Sequence, residues 1–177
     1  MTNVVYIGTS LDGYISASDG SMEWMNVVPN PEGSDLGFSD FMDRVDAVVM
    51  GRNTFETVVG FGFGWHYPKP GIILSSTLDA APEGFEKQVR FANGSPPEIV
   101  EEARRLGFKN LYIDGGITIQ RFLDHDLIDE LIITDLPILL GGGDRLFGKL
   151  EANLEFELVG TEVLLEQLVK KHYRRKT

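Results

Sequence analysis

Short apolar runs recur along this chain, each too brief for a buried helix and each broken off by glycine, hydroxyl or acidic residues. They are Val4-Val5-Tyr6-Ile7, Val48-Val49-Met50, Gly71-Ile72-Ile73-Leu74, Asn110-Leu111-Tyr112-Ile113 and Glu130-Leu131-Ile132-Ile133-Thr134, with Val89-Arg90-Phe91-Ala92 as a weaker member. Runs of this kind read as strands buried on both faces. Helical patterns stand between them. Phe38, Phe41, Met42 and Val45 follow a candidate N-cap at Ser34-Asp35. Ile99, Val100, Ala103 and Leu106 follow Ser95-Pro96 and stop at Gly107, with Glu101 facing Arg105, and a further helix spans Thr118 to Leu123. Strands alternating with helices require crossovers, so the chain predicts an α/β fold with a mostly parallel sheet covered on both faces. Near the C-terminus, Leu154-Glu155-Phe156-Glu157-Leu158 alternates as a half-exposed strand should. Val163 to Tyr173 also fits a helix through Leu164, Leu165, Leu168 and Val169, and is read as antiparallel strand.

At 177 residues the pattern fits one domain, residues 1–177, with a sizeable core. A formal charge of −11 argues against nucleic acid as partner. The basic ending Lys170-Lys171-His172-Tyr173-Arg174-Arg175-Lys176 reads as edge-strand protection or solubility. No apolar run suits a membrane span, the amino terminus enters a strand pattern without a leader, and there is no cysteine, so a cytoplasmic location is expected. His66, His125 and His172 are isolated from one another, so no metal site is expected.

Val48 to Glu56 carries the strongest local signal. A strand turns at Gly51 into a helix start, where Asn53 suits a cap and Glu56 the acid of a capping box. Arg52 faces the positive end of the helix dipole, which costs about 0.3–1 kcal/mol unless an anion binds there. Either it swings into solvent or it waits for that anion. Two other strand ends carry similar groups, Leu74-Ser75-Ser76 and Gly115-Gly116-Ile117-Thr118. Glycines let backbone N–H groups approach a phosphate, and arginine and hydroxyls supply directed donors. Three such ends point to a nucleotide site beyond the carboxyl ends of the strands.

Other motifs are weaker. Gly60 to Pro68 is a glycine and aromatic loop whose spacing is not a dinucleotide fingerprint. Gly143-Asp144-Arg145-Leu146-Phe147-Gly148-Lys149-Leu150 approaches a P-loop, but Leu150 replaces the magnesium-binding hydroxyl and Leu146-Phe147 would crowd the cradle. Tyr14 to Pro31 is long enough to be functional or mobile, and its Trp24 equally suits a core plug. Asp35 is open between a helix cap and a group that donates a proton or binds an amidine-like partner.

Val48 to Glu56, then Ile72 to Ser76, then Ile113-Asp114-Gly115-Gly116 with Phe122-Leu123, resemble the successive signatures of dihydrofolate reductase. Ser10 to Ile15, and Leu131 to Thr134 through Pro137 to Gly141, are similar to the reductase domain of the bifunctional riboflavin-biosynthesis deaminase-reductase. The resemblance implies a dihydrofolate reductase-like three-layer fold with a mixed sheet and a C-terminal antiparallel hairpin. It implies an NADPH-dependent reductase of a small heterocycle or ribosylamine, either the phosphoribosylaminouracil of the riboflavin pathway or dihydrofolate. A non-catalytic NADPH-binding sensor or scaffold is the other class of reading, and a homodimer is the implied assembly.

By the match, Gly51, Arg52, Asn53 and Thr54 would hold the adenosine-side phosphates, with Arg52 on the 2′-phosphate beside Ser75 and Ser76. Gly115, Gly116, Ile117 and Thr118 would hold the pyrophosphate. Ile15 and the loop from Gly20 to Trp24 would close over the nicotinamide, and Leu74 and Asp114 complete the cofactor contacts. Asp35 would be the pterin-type acid and Thr134 its hydroxyl partner. Trp24-Met25-Asn26-Val27 only approximates the Trp-x-Leu-Pro of dihydrofolate reductase. Asp114 stands where that family has glycine and the riboflavin enzyme glutamate.

Overall fold

The computed structural model describes residues 1–78 and 80–176. In chain order the strands are β1 (Thr2–Ser10), β2 (Tyr14–Ser16), β3 (Ala47–Gly51), β4 (Gly71–Leu74), β5 (Val89–Ala92), β6 (Asn110–Asp114), β7 (Glu130–Leu136), β8 (Asp144–Arg145), β9 (Phe156–Leu164) and β10 (Leu168–Arg175). The helices are α1 (Phe38–Asp43), α2 (Arg52–Gly60), α3 (Pro96–Arg105) and α4 (Gly116–Asp124). Eight strands make one sheet in the order β5-β4-β3-β6-β1-β7-β10-β9. Pairing is parallel from β5 to β7 and antiparallel from β7 through β10 to β9. β2 and β8 pair separately beside it.

Successive residues of a strand point to opposite faces, and over the parallel strands both faces are covered. Val5, Val49, Ile72, Ile113 and Ile133 pack with Ile99 and Ala103 of α3 and Ile119 and Phe122 of α4. Val4, Val48, Met50, Tyr112 and Ile132 pack with Phe41 and Met42 of α1 and Phe55 and Val58 of α2. Each such side chain removed from water contributes about 1.5–3 kcal/mol, which is why the strands read as unbroken apolar runs. Among the described residues no helix is long and apolar enough to cross a membrane.

Helix ends follow the sequence where side chains have no better partner. Ser95 and Glu98 form a capping box at α3, with the Ser95 N–H donating to Glu98 Oε2 at 2.8 Å. Gly107, at φ +89°, closes the same helix by donating to Arg104 O while Phe108 donates to Ala103 O.

Elsewhere the local reading is corrected. The cap of α2 is Gly51, not Asn53, and Glu56 accepts from Arg52 Nε at 2.6 Å instead of closing a capping box. A full guanidinium four residues away outcompetes a backbone N–H for that carboxylate. Glu101 pairs with Arg104 at 2.7 Å rather than with Arg105. Helix α1 starts at Phe38 with Gly37 as its cap residue, and it ends at Asp43, before Val45.

The segment 163–173 is strand on both sides of a turn. Leu165 and Glu166 adopt φ of 47° and 60°, which no helix could include. Strand β10 lies inside the sheet and β9 forms its edge, so the basic C-terminal residues protect no edge. They are partnered instead: Lys170 is ion-paired with Glu162, Lys171 with Asp135 and Arg175 with Asp126, and His172 Nε2 lies 2.8 Å from Glu130 Oε2.

Candidate functional site

Parallel pairing brings the carboxyl ends of β1, β3, β4, β6 and β7 to one side of the sheet. There a cavity of about 1240 Å³ opens, lined by the residues that the sequence named for the phosphates, the 2′-phosphate and the acid with its hydroxyl partner, and by Ile15, Leu74 and Asp114. Gly51, Arg52, Asn53 and Thr54 enter from the start of α2; Leu74, Ser75 and Ser76 from the end of β4; Asp114, Gly115, Gly116, Ile117 and Thr118 from the turn between β6 and α4. Ile15 comes from β2, Thr134 from β7 and Asp35 from the approach to α1.

Two helix starts interlock at its centre. Gly115 sits at φ +86°, and a Cβ there would collide with Thr54 Oγ1 of α2. A Cβ on Gly51 would stand 3.2 Å from Thr118 Oγ1 of α4, and one on Gly116 would stand 2.7 Å from Ile15 Cδ1. Neither α2 nor α4 has a side-chain cap among the described residues. Residues of both helix starts line the cavity, which brings the positive ends of two dipoles to its wall.

Arg52 stays partly exposed but is partnered. Its Nε donates to Glu56 Oε1 at 2.6 Å and its Nη1 to Thr77 Oγ1 at 3.0 Å. Thr77 is itself placed by Ser75, whose Oγ accepts the N–H groups of Thr77 and Leu78 at 3.2 and 2.9 Å.

The opposite wall is aromatic and acidic. Tyr67 Oη donates to Asp114 Oδ2 at 3.0 Å, and the Gly115 N–H donates to Asp114 Oδ1 at 2.9 Å. Burial pushes the Asp114 carboxyl above its usual range, and these hydrogen bonds offset only part of the rise. Burial likewise raises Tyr67 and Tyr112, each pushed further by the nearby Asp114 charge. Tyr112 Oη donates to Tyr6 O at 2.9 Å, and Tyr6 Oη to Leu36 O at the same distance. Burial, then the charges of Asp35 and Glu162, bring Tyr6 up to about 12.

Asp35 behaves oppositely. Its Oδ1 accepts the Gly37 N–H and its Oδ2 the Ser39 N–H, both at 2.9 Å. With the Ser39 hydroxyl as the largest cause, these donors hold its pKa down at about 2. It caps α1 from outside the helix and stays ionised near neutrality. Thr134 is buried on β7.

The segment 14–31 is partly ordered by β2 and by a 3-10 turn over Glu23–Asn26. Trp24 is a plug, packed with Val28, Leu136 and Leu168. Gly20, Met22 and Met25 line the cavity, but Trp24 does not. The P-loop look-alike forms β8 and buries Leu146, which leaves no room for a phosphate cradle.

The sequence reading missed Tyr6, Tyr67, Tyr112 and Thr77. Tyr6 and Tyr112 carried a signal, a hydroxyl in an otherwise apolar strand, which needs a partner wherever it is buried. Thr77 and Tyr67 lie on loops and carried none.

A model of the RibD C-terminal domain matches residues 3–170 of the chain. The uncharacterized protein YwjB of Bacillus subtilis strain 168 is 34% identical over 174 residues, 97% of either protein. A crystal structure from Shewanella sp. PV-4, whose name assigns it provisionally to riboflavin biosynthesis, is 48% identical with a TM-score of 0.97 and full coverage of both chains. Dihydrofolate reductase of Enterococcus faecalis, solved with NADP(H) and RAB-propyl, is 18% identical with a TM-score of 0.68, over 99% of this chain and 97% of that one. The fold is thus dihydrofolate reductase-like.

Proposed function

Because the chain belongs to the RibD C-terminal domain family, we propose that it is an NADPH-dependent oxidoreductase that delivers hydride to a small heterocyclic or ribosylamine substrate. One observation carries this reading: three phosphate-suited strand ends, an anchored arginine and an acidic, aromatic wall all line one cavity of about 1240 Å³. That exceeds the roughly 300–1,000 Å³ usual for one small-molecule site and leaves room for two ligands side by side.

The residues fit a phosphorylated dinucleotide. Glycine at 115 and 116 lets the turn into α4 pack directly against Thr54 and Ile15, where a Cβ would collide, and the starts of α2 and α4, neither with a side-chain cap among the described residues, line the cavity. Gly115 to Thr118 would hold the pyrophosphate, Gly51 to Thr54 the adenosine side, and Arg52 with Ser75 and Ser76 the 2′-phosphate. Ile15 would cover the nicotinamide, which supplies the hydride when bound.

The chain's part in the chemistry is alignment, exclusion of water and control of one proton. Asp35, held ionised, would accept N–H groups of the heterocycle and orient it, with the Thr134 hydroxyl beside it. Asp114, whose pKa burial raises while Tyr67 Oη and the Gly115 N–H hold its two oxygens, is the cavity carboxyl better suited to carry that proton. The phosphoribosylaminouracil of the riboflavin pathway ranks first among substrates and dihydrofolate second.

Following NADPH absorbance with both compounds in a wider panel of heterocycles tests the proposal. Substrate-dependent loss of absorbance is expected. NADPH binding without consumption across the panel would instead favour a dinucleotide sensor or scaffold.

A further inference from the structure

We propose that Glu56 limits how strongly this site prefers a 2′-phosphorylated dinucleotide over one lacking that phosphate, an inference that rests on the cofactor reading above. Arg52 is the first residue of α2 and the cation that reading assigns to the phosphate. It is not a bare cation. Glu56 Oε1 accepts from its Nε at 2.6 Å, and Thr77 Oγ1 accepts from its Nη1 at 3.0 Å. Of the five guanidinium N–H donors, these contacts occupy two, and the rest of the Nη edge stays available to a phosphate.

Two opposing consequences follow from the carboxylate. It fixes the guanidinium plane, so a phosphate finds its donors already aimed. It also places a full negative charge in contact with the cation, so an arriving dianion meets a pair with no net charge. Both side chains are about half exposed, at 42% and 52%, so the repulsion is screened but not abolished. Over the few ångströms involved it amounts to roughly a three- to tenfold effect on binding. A dinucleotide with a free 2′-hydroxyl feels almost none of it. Glu56 thus narrows the gap between the two cofactors while keeping the arginine in place.

Glu56→Gln separates the two effects, because the amide oxygen still accepts from Arg52 Nε while the charge is gone. Calorimetric titration of wild type, Glu56→Gln and Arg52→Ala with NADPH and with NADH reads the result without any substrate, and circular dichroism checks that each variant is folded. The expected outcome is an NADPH affinity raised roughly three- to tenfold in Glu56→Gln, NADH changed by less than about twofold, and a steeper salt dependence for NADPH alone.

A selectivity ratio unchanged in Glu56→Gln, or one that falls, overturns the inference, since the carboxylate would then be a helix-surface partner or an aid to phosphate binding. The underlying cofactor reading fails differently. Wild type would bind neither dinucleotide, or Arg52→Ala would leave the preference for NADPH intact.

Discussion

Tyr67 donates its hydroxyl hydrogen to Asp114 Oδ2 at 3.0 Å, tying the loop after α2 to the end of the central strand β6. The bond lies in an aromatic nest. Tyr67 stacks on His66 with centroids 4.6 Å apart and packs against Trp65 at 4.8 Å and Phe38 at 6.3 Å. Such surroundings disfavour charge on Asp114, while the tyrosine bond favours it. Burial wins, and the carboxyl is held above its usual 3.8.

That balance fixes the sign of a stability effect. A carboxyl whose pKa is higher in the folded state contributes most below its unfolded value of about 3.8. The contribution is lost as pH rises through the folded value. Asp114→Asn removes the ionisation, so the melting temperature of the variant relative to wild type should climb as pH rises above about 4. Tyr67→Phe removes a side-chain donor to Oδ2 and should push the Asp114 pKa further up. Carboxyl-carbon NMR titration of both proteins reads this, and an Asp114 titrating at its ordinary value would sink both expectations.

Asp35 runs the other way. Ser39 and the Gly37 N–H hold its pKa at about 2, so its contribution is present above the unfolded value near 3.8 and lost as pH falls toward 2. Asp35→Asn should therefore flatten the acid limb of a melting-temperature profile between about 4 and 2 and leave the neutral region unshaped. If turnover is established, a pH limb set by a carboxyl raised above its ordinary value should survive Asp35→Asn and vanish in Asp114→Asn. The reverse pattern would return the proton to Asp35.

The sheet was legible because both of its faces are covered. Val48-Val49-Met50 and Leu111-Tyr112-Ile113 read as buried strands since neither face meets water. The glycine turns were legible because a left-handed φ at Gly115 leaves glycine as the favoured residue. Legibility failed where partners are distant or compete. Glu56 had two possible partners close by, a backbone N–H and Arg52, and only the charges decide between them. The turn at Leu165 and Glu166 uses left-handed backbone without glycine or asparagine, so nothing in its composition announces it. The place of β10 inside the sheet depends on pairing with β7, which no local pattern encodes. The Tyr67 bond to Asp114 is hidden for the same reason.

The interlock of Gly115 with Thr54 gives the sharpest structural test. Gly115→Ala places a methyl group against Thr54 Oγ1 and forces alanine into φ +86°. The backbone term costs about 1–3 kcal/mol and the crowding about 1–3 kcal/mol, so denaturant unfolding should show a loss of roughly 2–6 kcal/mol. Adding Thr54→Ala removes the hydroxyl that the methyl meets first but leaves the Thr54 β-carbon position, 3.3 Å away, and the backbone strain. The double variant should recover the crowding part alone. NADPH affinity should fall in the single variant and stay low in the double, because the alanine methyl still stands beside the uncapped start of α4 where a phosphate would rest. Full recovery of stability in the double variant would show that the backbone of Gly115 is under no conformational demand, and recovery of affinity would separate this turn from the phosphate cradle.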